Sequence, residues 1–363
     1  MGKYAFDHAV AFATQADEDT YNAGLDAITT DLQGERIPGG ADDDDGLILG
    51  DPGSGVGESG LSLALGRRSR DKAFLAGGFT RPLSDFLALE GRTFSFAFPF
   101  CNHRADVTGT PADADFVPHV GLDALLEGVG MQGAASGTPG HEYKFDTVNA
   151  VPISALIYVS GSRLELKSCR VESLAISYVP GSIAIATATI AIGSVQDPSA
   201  SPVSVAALPT TLDYATQASV SAPTIESVGF GWQATRGFSE LTITITPTIE
   251  DIPDSNQPDG IIKEVSGRVT TIEGTLFGDD ASSNEVYSLE ALLADAVGDL
   301  DALSFTVGSA AGASEPALAH SWTFPQPEID ESTFAKLGSK AADTVTLIAR
   351  HGTVNEEAAL EFL

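Results

Sequence analysis

The chain has 363 residues, enough for one large or two ordinary domains, each with a core of its own. Its 19 Lys+Arg stand against 50 Asp+Glu, a formal charge of -31, which excludes a basic nucleic-acid reader. With 43% hydrophobic residues the acidity does not signal disorder, and the two cysteines, Cys101 and Cys169, are too few for a disulfide scaffold.

Residues 1–45 read as an N-terminal arm that wraps a neighbour or packs late. MGKYAFDHAVAFATQ lacks the basic n-region and apolar h-region of a signal peptide, and nothing approaches the ~18 apolar residues of a membrane span. PLSDFLALEG predicts a short helix, with Pro82 near its start and Gly91 after its end. From Thr93 to Phe98 the pattern alternates at period 2 with three Phe on one face, which predicts a strand. The polar loop 101–119 is far longer than the usual connection of about 4–6 residues, a length associated with function. Leu122 to Gly130 predicts a helix stopped by glycines, and Val151 to Val159 a strand.

Next comes the stretch that organises the chain, RLELKSCRVESLAISYVPGSIAIATATIAIG, two long β-type runs around Pro180 and Gly181. Pro presets φ at the first central position of a turn and Gly accepts positive φ at the second, so Val179 to Ser182 predicts a type II hairpin turn. That turn sets Tyr178 opposite Ile183, Ile176 opposite Ile185 and Leu174 opposite Thr187. The sheet core is then Leu174, Ile176, Tyr178, Ile183 and Ile185. Ser173, Ala175, Ser177, Ala184, Ala186 and Ala188 fall on a small, bland opposite face. A ribbon this long has edges that need partners, and the expectation is that another subunit supplies them.

A Ser/Pro/Ala-rich connector, 196–225, divides a first module, 46–195, from a second, 226–363. In the second, LTITITPTI places Leu241, Ile243, Ile245 and Ile249 on one face and Thr242, Thr244, Thr246 and Thr248 on the other, so a sheet with one polar, uncharged face is implied. Val265 to Phe277, Leu303 to Val307, Ser321 to Phe324 and Thr344 to Arg350 predict further strands. The helix pattern LEALLADAVG echoes LDALLEGVG, so the halves read as a diverged duplication.

Motifs that carry chemistry fail one after another. Gly55 to Gly60 fits G-x-G-x-x-G, but only Leu47 to Leu49 precedes it and no βαβ series follows. Asp42 to Gly46 fails as a calcium loop at both ends. Cys101, His103, His119 and His141 lack the paired spacing of a zinc site. The sequence therefore argues for no cofactor, no metal and no catalytic residue.

The run from Thr93 to Gly193 resembles the tail tube proteins, or major tail proteins, of long-tailed bacteriophages of siphovirus type. The resemblance rests on the aromatic strand FSFAFPF, the helix phrase FVPHVGLDALLEGVGM, Tyr143, the run ISALIYVSGSRLELKSCRVESLAISY and the return strand IAIATATIAIG. FSELTITITPTIEDIPDSN and VSGRVTTIEGTLFGDD are similar to the family's later strands, whereas ATQADEDTYN lacks the glycine of the family's usual start.

The resemblance implies a mainly β fold with short helices, a β-sandwich or barrel plus helix. It implies two tandem modules forming a ring around an inter-subunit β-barrel, as a pseudo-sixfold trimer or a hexamer, with the rings stacked into a tube. The protein would be a structural virion component of the viral tail, assembled in the host cytoplasm, through which genome DNA passes during ejection without specific binding. Further partners would be tail terminator, tape measure and baseplate or distal tail proteins, with no membrane. Heterologous contacts close rings physically, and an acidic or neutral wall does not hold phosphates as a basic wall does. The alternative is another virion or cell-surface β-sandwich, an adhesion or structural protein of a salt-adapted organism.

Overall fold

A computed structural model of the chain describes residues 8–14, 47–49, 61–64, 68–69, 87–88, 93–100, 120–136, 140–145, 150–159, 162–180, 184–196, 224–228, 238–253, 261–277, 303–307, 320–337, 340–350 and 357–362. The architecture is mainly β and antiparallel, with one helix among the described residues. The first half supplies β1 (His8–Thr14), β2 (Leu47–Leu49), β3 (Leu61–Ala64), β4 (Arg68–Ser69), β5 (Leu87–Ala88) and β6 (Thr93–Pro99). Helix α1 (Val120–Gly128) follows, then β7 (Met131–Ala135), β8 (His141–Phe145), β9 (Ile153–Val159), β10 (Ser162–Tyr178), β11 (Ile185–Ala191) and β12 (Ser194–Gln196). The second half supplies β13 (Thr224–Val228), β14 (Phe238–Pro253), β15 (Ile261–Phe277), β16 (Leu303–Val307) and β17 (His320–Phe324). It ends with β18 (Gln326–Leu337), β19 (Lys340–Arg350) and β20 (Ala359–Phe362).

The large sheet runs in the order β18-β19-β15-β14-β10-β11-β6-β3, and a second runs β13-β16-β17-β20-β8-β7. Between them lies one cluster of buried side chains drawn from both halves of the chain. The stripe Phe94, Phe96 and Phe98 is fully buried, and burying each ring contributes about 1.5–3 kcal/mol. On the facing sheet the alternation of LSFTV, HSWTF and ALEF turns Phe305, Trp322, Phe324, Leu360 and Phe362 inward. Helix α1 packs on β1, β7 and β10, and Tyr143 on β8 donates a 2.6 Å hydrogen bond to Asp123 on the helix.

Strand β10 serves two parts of the large sheet. Its first half pairs with β9 and β12, its second with β11 and β14. Between them the register with β9 slips between Leu166 and Cys169, and Ser168 takes φ 50. A bulge residue in the left-handed region bends a strand out of one ladder and into another.

Several expectations are corrected here. Segment 8–14 of the expected arm is a strand that pairs residue for residue with β9, so the boundary at 45 does not free it from the fold. Leu87–Ala88 is a short strand paired with β4, inside the stretch expected to be helical. Strand β10 of the first module pairs with β14 of the second, and β8 with β20, so both sheets run across the connector. The β10–β11 and β14–β15 hairpins meet first strand to first strand, a local two-fold relation; a head-to-tail repeat would bring a first strand against a second. The helix expected at 289–298, the loop 101–119 and most of the connector lie outside the described residues.

Candidate functional site

The candidate site is the open face of the large sheet, the side turned away from the buried cluster. Strand β6 places Ser95 there, β11 Thr187 and Thr189, β10 Ser173, Ala175 and Ser177, and β14 Thr242, Thr244 and Thr246. Strand β15 adds Thr271, Glu273 and Thr275, and β19 adds Thr344 and Thr346. Cross-strand hydroxyls meet at 3.2 Å between Ser95 and Thr189 and at 3.4 Å between Thr275 and Thr344. Hydroxyls so placed satisfy one another across the ladder without carrying charge. From β6 to β15 none of the residues just named is a lysine or arginine; at the rim Arg170, paired with Ala191 on β11, is half-buried and its guanidinium is taken up by two backbone carbonyls. Farther along, exposed Arg350 lies 2.6 Å from Glu328.

The hairpin that anchors the face has a register one residue away from the expected one. Ser177 pairs with Ile185, Ile176 with Ala186, Ala175 with Thr187 and Leu174 with Ala188. The connection is therefore one residue longer than a two-residue turn allows, and a one-residue slip exchanges the faces of a whole strand. Ser173, Ala175 and Ser177 are half-exposed on the open side, and Leu174, Ile176 and Tyr178 are fully buried. Ala184, Ala186 and Ala188, expected to face a bore, are buried in the core, and Ile185, expected in the core, is half-exposed on the open face. Pro180 is exposed in the turn, whereas Gly181 and Ile183 lie outside the described residues.

Volume explains the reversal. Ala186 is paired with Phe98 and Ala188 with Phe96, so small residues sit beside the aromatic row where larger ones would collide with it. Both hairpin strands are also interior to their own sheet: β10 lies between β11 and β14, and β11 between β10 and β6. Their edges are filled within the chain, contrary to the expectation that a neighbouring subunit fills them. No protein-family model matches this chain. No curated protein matches it in sequence either.

Beneath the face, a buried polar chain ties the two sheets together. Trp322 Nε1 donates to Tyr178 Oη at 2.8 Å, and the phenol lies 2.9 Å from His320 Nε2, to which it can donate in turn. The Phe100 ring meets His320 edge-on at 5.1 Å. Complete burial disfavours the imidazolium and pulls the His320 pKa down to about 3, while the same burial pushes the Tyr178 phenol up. All three polar groups are satisfied by one another, which is what a dry interior demands.

A second polar layer lies under the far end of the β14–β15 hairpin. Arg170 donates from Nε to the Lys263 carbonyl at 2.9 Å and from a terminal nitrogen to the Ala150 carbonyl at 2.6 Å. Arg268 pairs with Glu357 at 3.0 Å and lies 4.2 Å over the Phe145 ring. Lys263 and Asp251 form a 2.8 Å ion pair across the hairpin. Desolvation raises the Glu172 carboxyl, an effect that Lys263 counters and Asp251 reinforces. Among the described residues, no group of three His, Cys, Asp or Glu is placed to hold a metal, and no helix is long and apolar enough to cross a membrane.

Sequence reasoning found the hydroxyl face on β14 but missed its extension over β6, β11, β15 and β19. The signal was present: TATI and DTVTL place a hydroxyl at every second position, and VTTIEGT places Thr271, Glu273 and Thr275 there.

Proposed function

We propose that this protein is a structural, self-assembling subunit of the tail tube class, forming rings that stack into a conduit for double-stranded DNA in a bacteriophage tail. The observation that carries the reading is the open face: a broad antiparallel sheet whose accessible side, from β6 to β15, is lined mostly by hydroxyls and small or acidic residues, with Ile185 and Val269 among them and with Arg170, at the rim, spent on two backbone carbonyls. A wall of that chemistry passes DNA without holding it, because phosphate affinity and its steep salt dependence come from Lys and Arg. The chain's charge of -31 adds repulsion that reaches about 8 Å from the wall at physiological salt.

On this reading Ser173, Ala175, Ser177, Thr187 and Thr189 line the bore, and Ala184, Ala186 and Ala188 support it from behind. The conduit needs no cofactor and no catalytic residue. Its further partners are the tail terminator, tape measure and baseplate or distal tail proteins expected of such a tail. The two long hairpins meet like edge to like edge, so the ring is proposed from whole subunits, as a pseudo-sixfold trimer or a hexamer.

Sedimentation and negative-stain microscopy of the purified protein across salt concentrations test the proposal. Rings or tubes with a central channel are expected once salt screens the acidic surfaces. A protein that stays monomeric at every salt concentration, or one that retains DNA on a filter at low salt, overturns it.

A further inference from the structure

We propose that the outer end of the β14–β15 hairpin is a hinged arm, closed onto the body of the subunit by the Arg170 guanidinium and able to lift away as a unit. The inference goes beyond the tube reading and holds whether or not the subunit assembles. The hairpin pairs from Phe238 opposite Leu276 to Pro253 opposite Ile261. Strand β10 covers β14 only from Leu241 to Ile245, and β19 covers β15 only from Thr271 to Phe277. From Thr246 and Thr270 outward the ribbon is therefore two-stranded among the described residues. A two-stranded ribbon is marginal in water unless it packs on something.

The ribbon packs closely at its root and loosely at its tip. At the root Pro247 and Thr270 are buried, and Arg268 ties the ribbon to Glu357 at 3.0 Å and to the Phe145 ring. One step farther out the ladder breaks: Thr248 pairs with Gly267 but Ile249 with Val265, which leaves Ser266 as an extra residue on β15. A bulge of this kind bends a strand and disrupts its ladder locally. Ser266 and Gly267 are exposed, and a Cβ at Gly267 would meet nothing nearer than Thr248 Oγ1 at 3.8 Å, so the bend has room to move. Past the bulge, Glu250 to Pro253 and Glu264 are exposed, while Ile249 and Val265 are half-buried as a cross-strand pair.

Arg170 latches this tip. It donates to the Lys263 carbonyl on the arm at 2.9 Å and to the Ala150 carbonyl on the body at 2.6 Å. The body anchor is fixed, because the next residue, Val151, donates its backbone N–H to the Glu127 carbonyl near the end of α1 at 3.1 Å. The Lys263–Asp251 ion pair lies wholly within the arm and moves with it. Glu172 on the body feels both of those charges, and they act on it in opposite directions, so it adds little to the closure. The latch itself is shallow. Closing it takes a guanidinium partly out of water and gives it neutral carbonyls rather than a carboxylate, so desolvation offsets part of what the two hydrogen bonds contribute. A segment held in this way opens locally at a free energy well below that of global unfolding. Closed, the arm keeps Ile249 and Val265 half-covered; lifted, it exposes them.

Amide hydrogen exchange on the full chain at low salt tests the inference. A lifted two-stranded ribbon frays, so the ladder amides of 249–253 and 261–265 are expected to exchange at least about tenfold faster than those of 241–245 and 271–275 in the wild type. Arg170→Met keeps an aliphatic stem and removes both donors; it is expected to speed the tip by a further factor of about ten and to leave the root unchanged. Deleting Ser266 preserves the cross-strand pairs on either side of it and removes the bend, so it is expected to slow exchange at the tip. A tip that exchanges no faster than the root overturns the inference, as does an Arg170→Met variant whose tip is unchanged or accelerates only in step with the root. A folded Ser266 deletion with unchanged tip exchange overturns the hinge; should that variant not fold, the Arg170→Met comparison decides. Each of these outcomes leaves the tube reading intact, which sedimentation across salt concentrations tests separately.

Discussion

Lowering the pH from 7 to 4.5 should destabilise this protein by about 2–3 kcal/mol through one buried ring, His320. The ring's folded pKa is about 3, against about 6.5 in an unfolded chain. Because the folded value is depressed, the contribution is fully present above about pH 6.5 and is lost as the pH falls toward 3, where the unfolded chain binds a proton that the native state refuses. At about 1.36 kcal/mol per pH unit, the roughly two units that fall between pH 7 and 4.5 come to about 2–3 kcal/mol. Domain stabilities are typically about 5–15 kcal/mol, so the loss is large enough to measure.

Many carboxylates titrate over the same range, so the assay is a difference. Urea unfolding of the wild type and of His320→Gln, followed at both pH values, isolates the ring. Gln keeps an acceptor for the Tyr178 phenol and does not titrate. The variant is expected to be less stable at pH 7 and to lose about 2–3 kcal/mol less than the wild type on acidification. Equal losses in the two proteins would refute the argument, and would mean that water or a rearranged neighbour reaches His320.

Two further substitutions follow from the core. Thr270 is 1% exposed and its hydroxyl has no hydrogen-bond partner among the described residues, so Thr270→Val, of nearly the same shape, should stabilise by about 1 kcal/mol in urea unfolding. A loss of that size instead would reveal a partner for the hydroxyl. At Gly128, where α1 ends, an added Cβ would stand 2.7 Å from Val171 Cγ2 and 3.2 Å from Ile153 Cγ2, both on fully buried residues. Gly128→Ala should therefore lower stability by about 1–3 kcal/mol in thermal unfolding, and an unchanged melting temperature would show that the helix shifts freely on the sheet.

The sequence by itself determined which residues alternate and hence which could be buried together. Phe94, Phe96 and Phe98, and Leu241, Ile243 and Ile245, needed only a period of two to be placed on apolar faces, and all six are buried. The helix at Val120–Gly128 was legible to within two residues from its leucines and terminal glycines. Tertiary structure decided what a local period does not contain. The β10–β11 register depends on the length of one connection and on the space left beside a row of Phe rings, so Ala184, Ala186 and Ala188 went inside and Ile185 did not. Strand β18, with Pro327, Glu328, Asp330 and Glu331 in its first half, lacks a clean period-two alternation, and the ladder with β19 is what makes it a strand. His320 looked like any polar residue in HSWTF until Tyr178, more than a hundred residues away, came within hydrogen-bond reach. Pattern is local and survives in any register, whereas register, pairing and the pKa of a buried ring depend on volumes and partners that distant parts of the chain bring together.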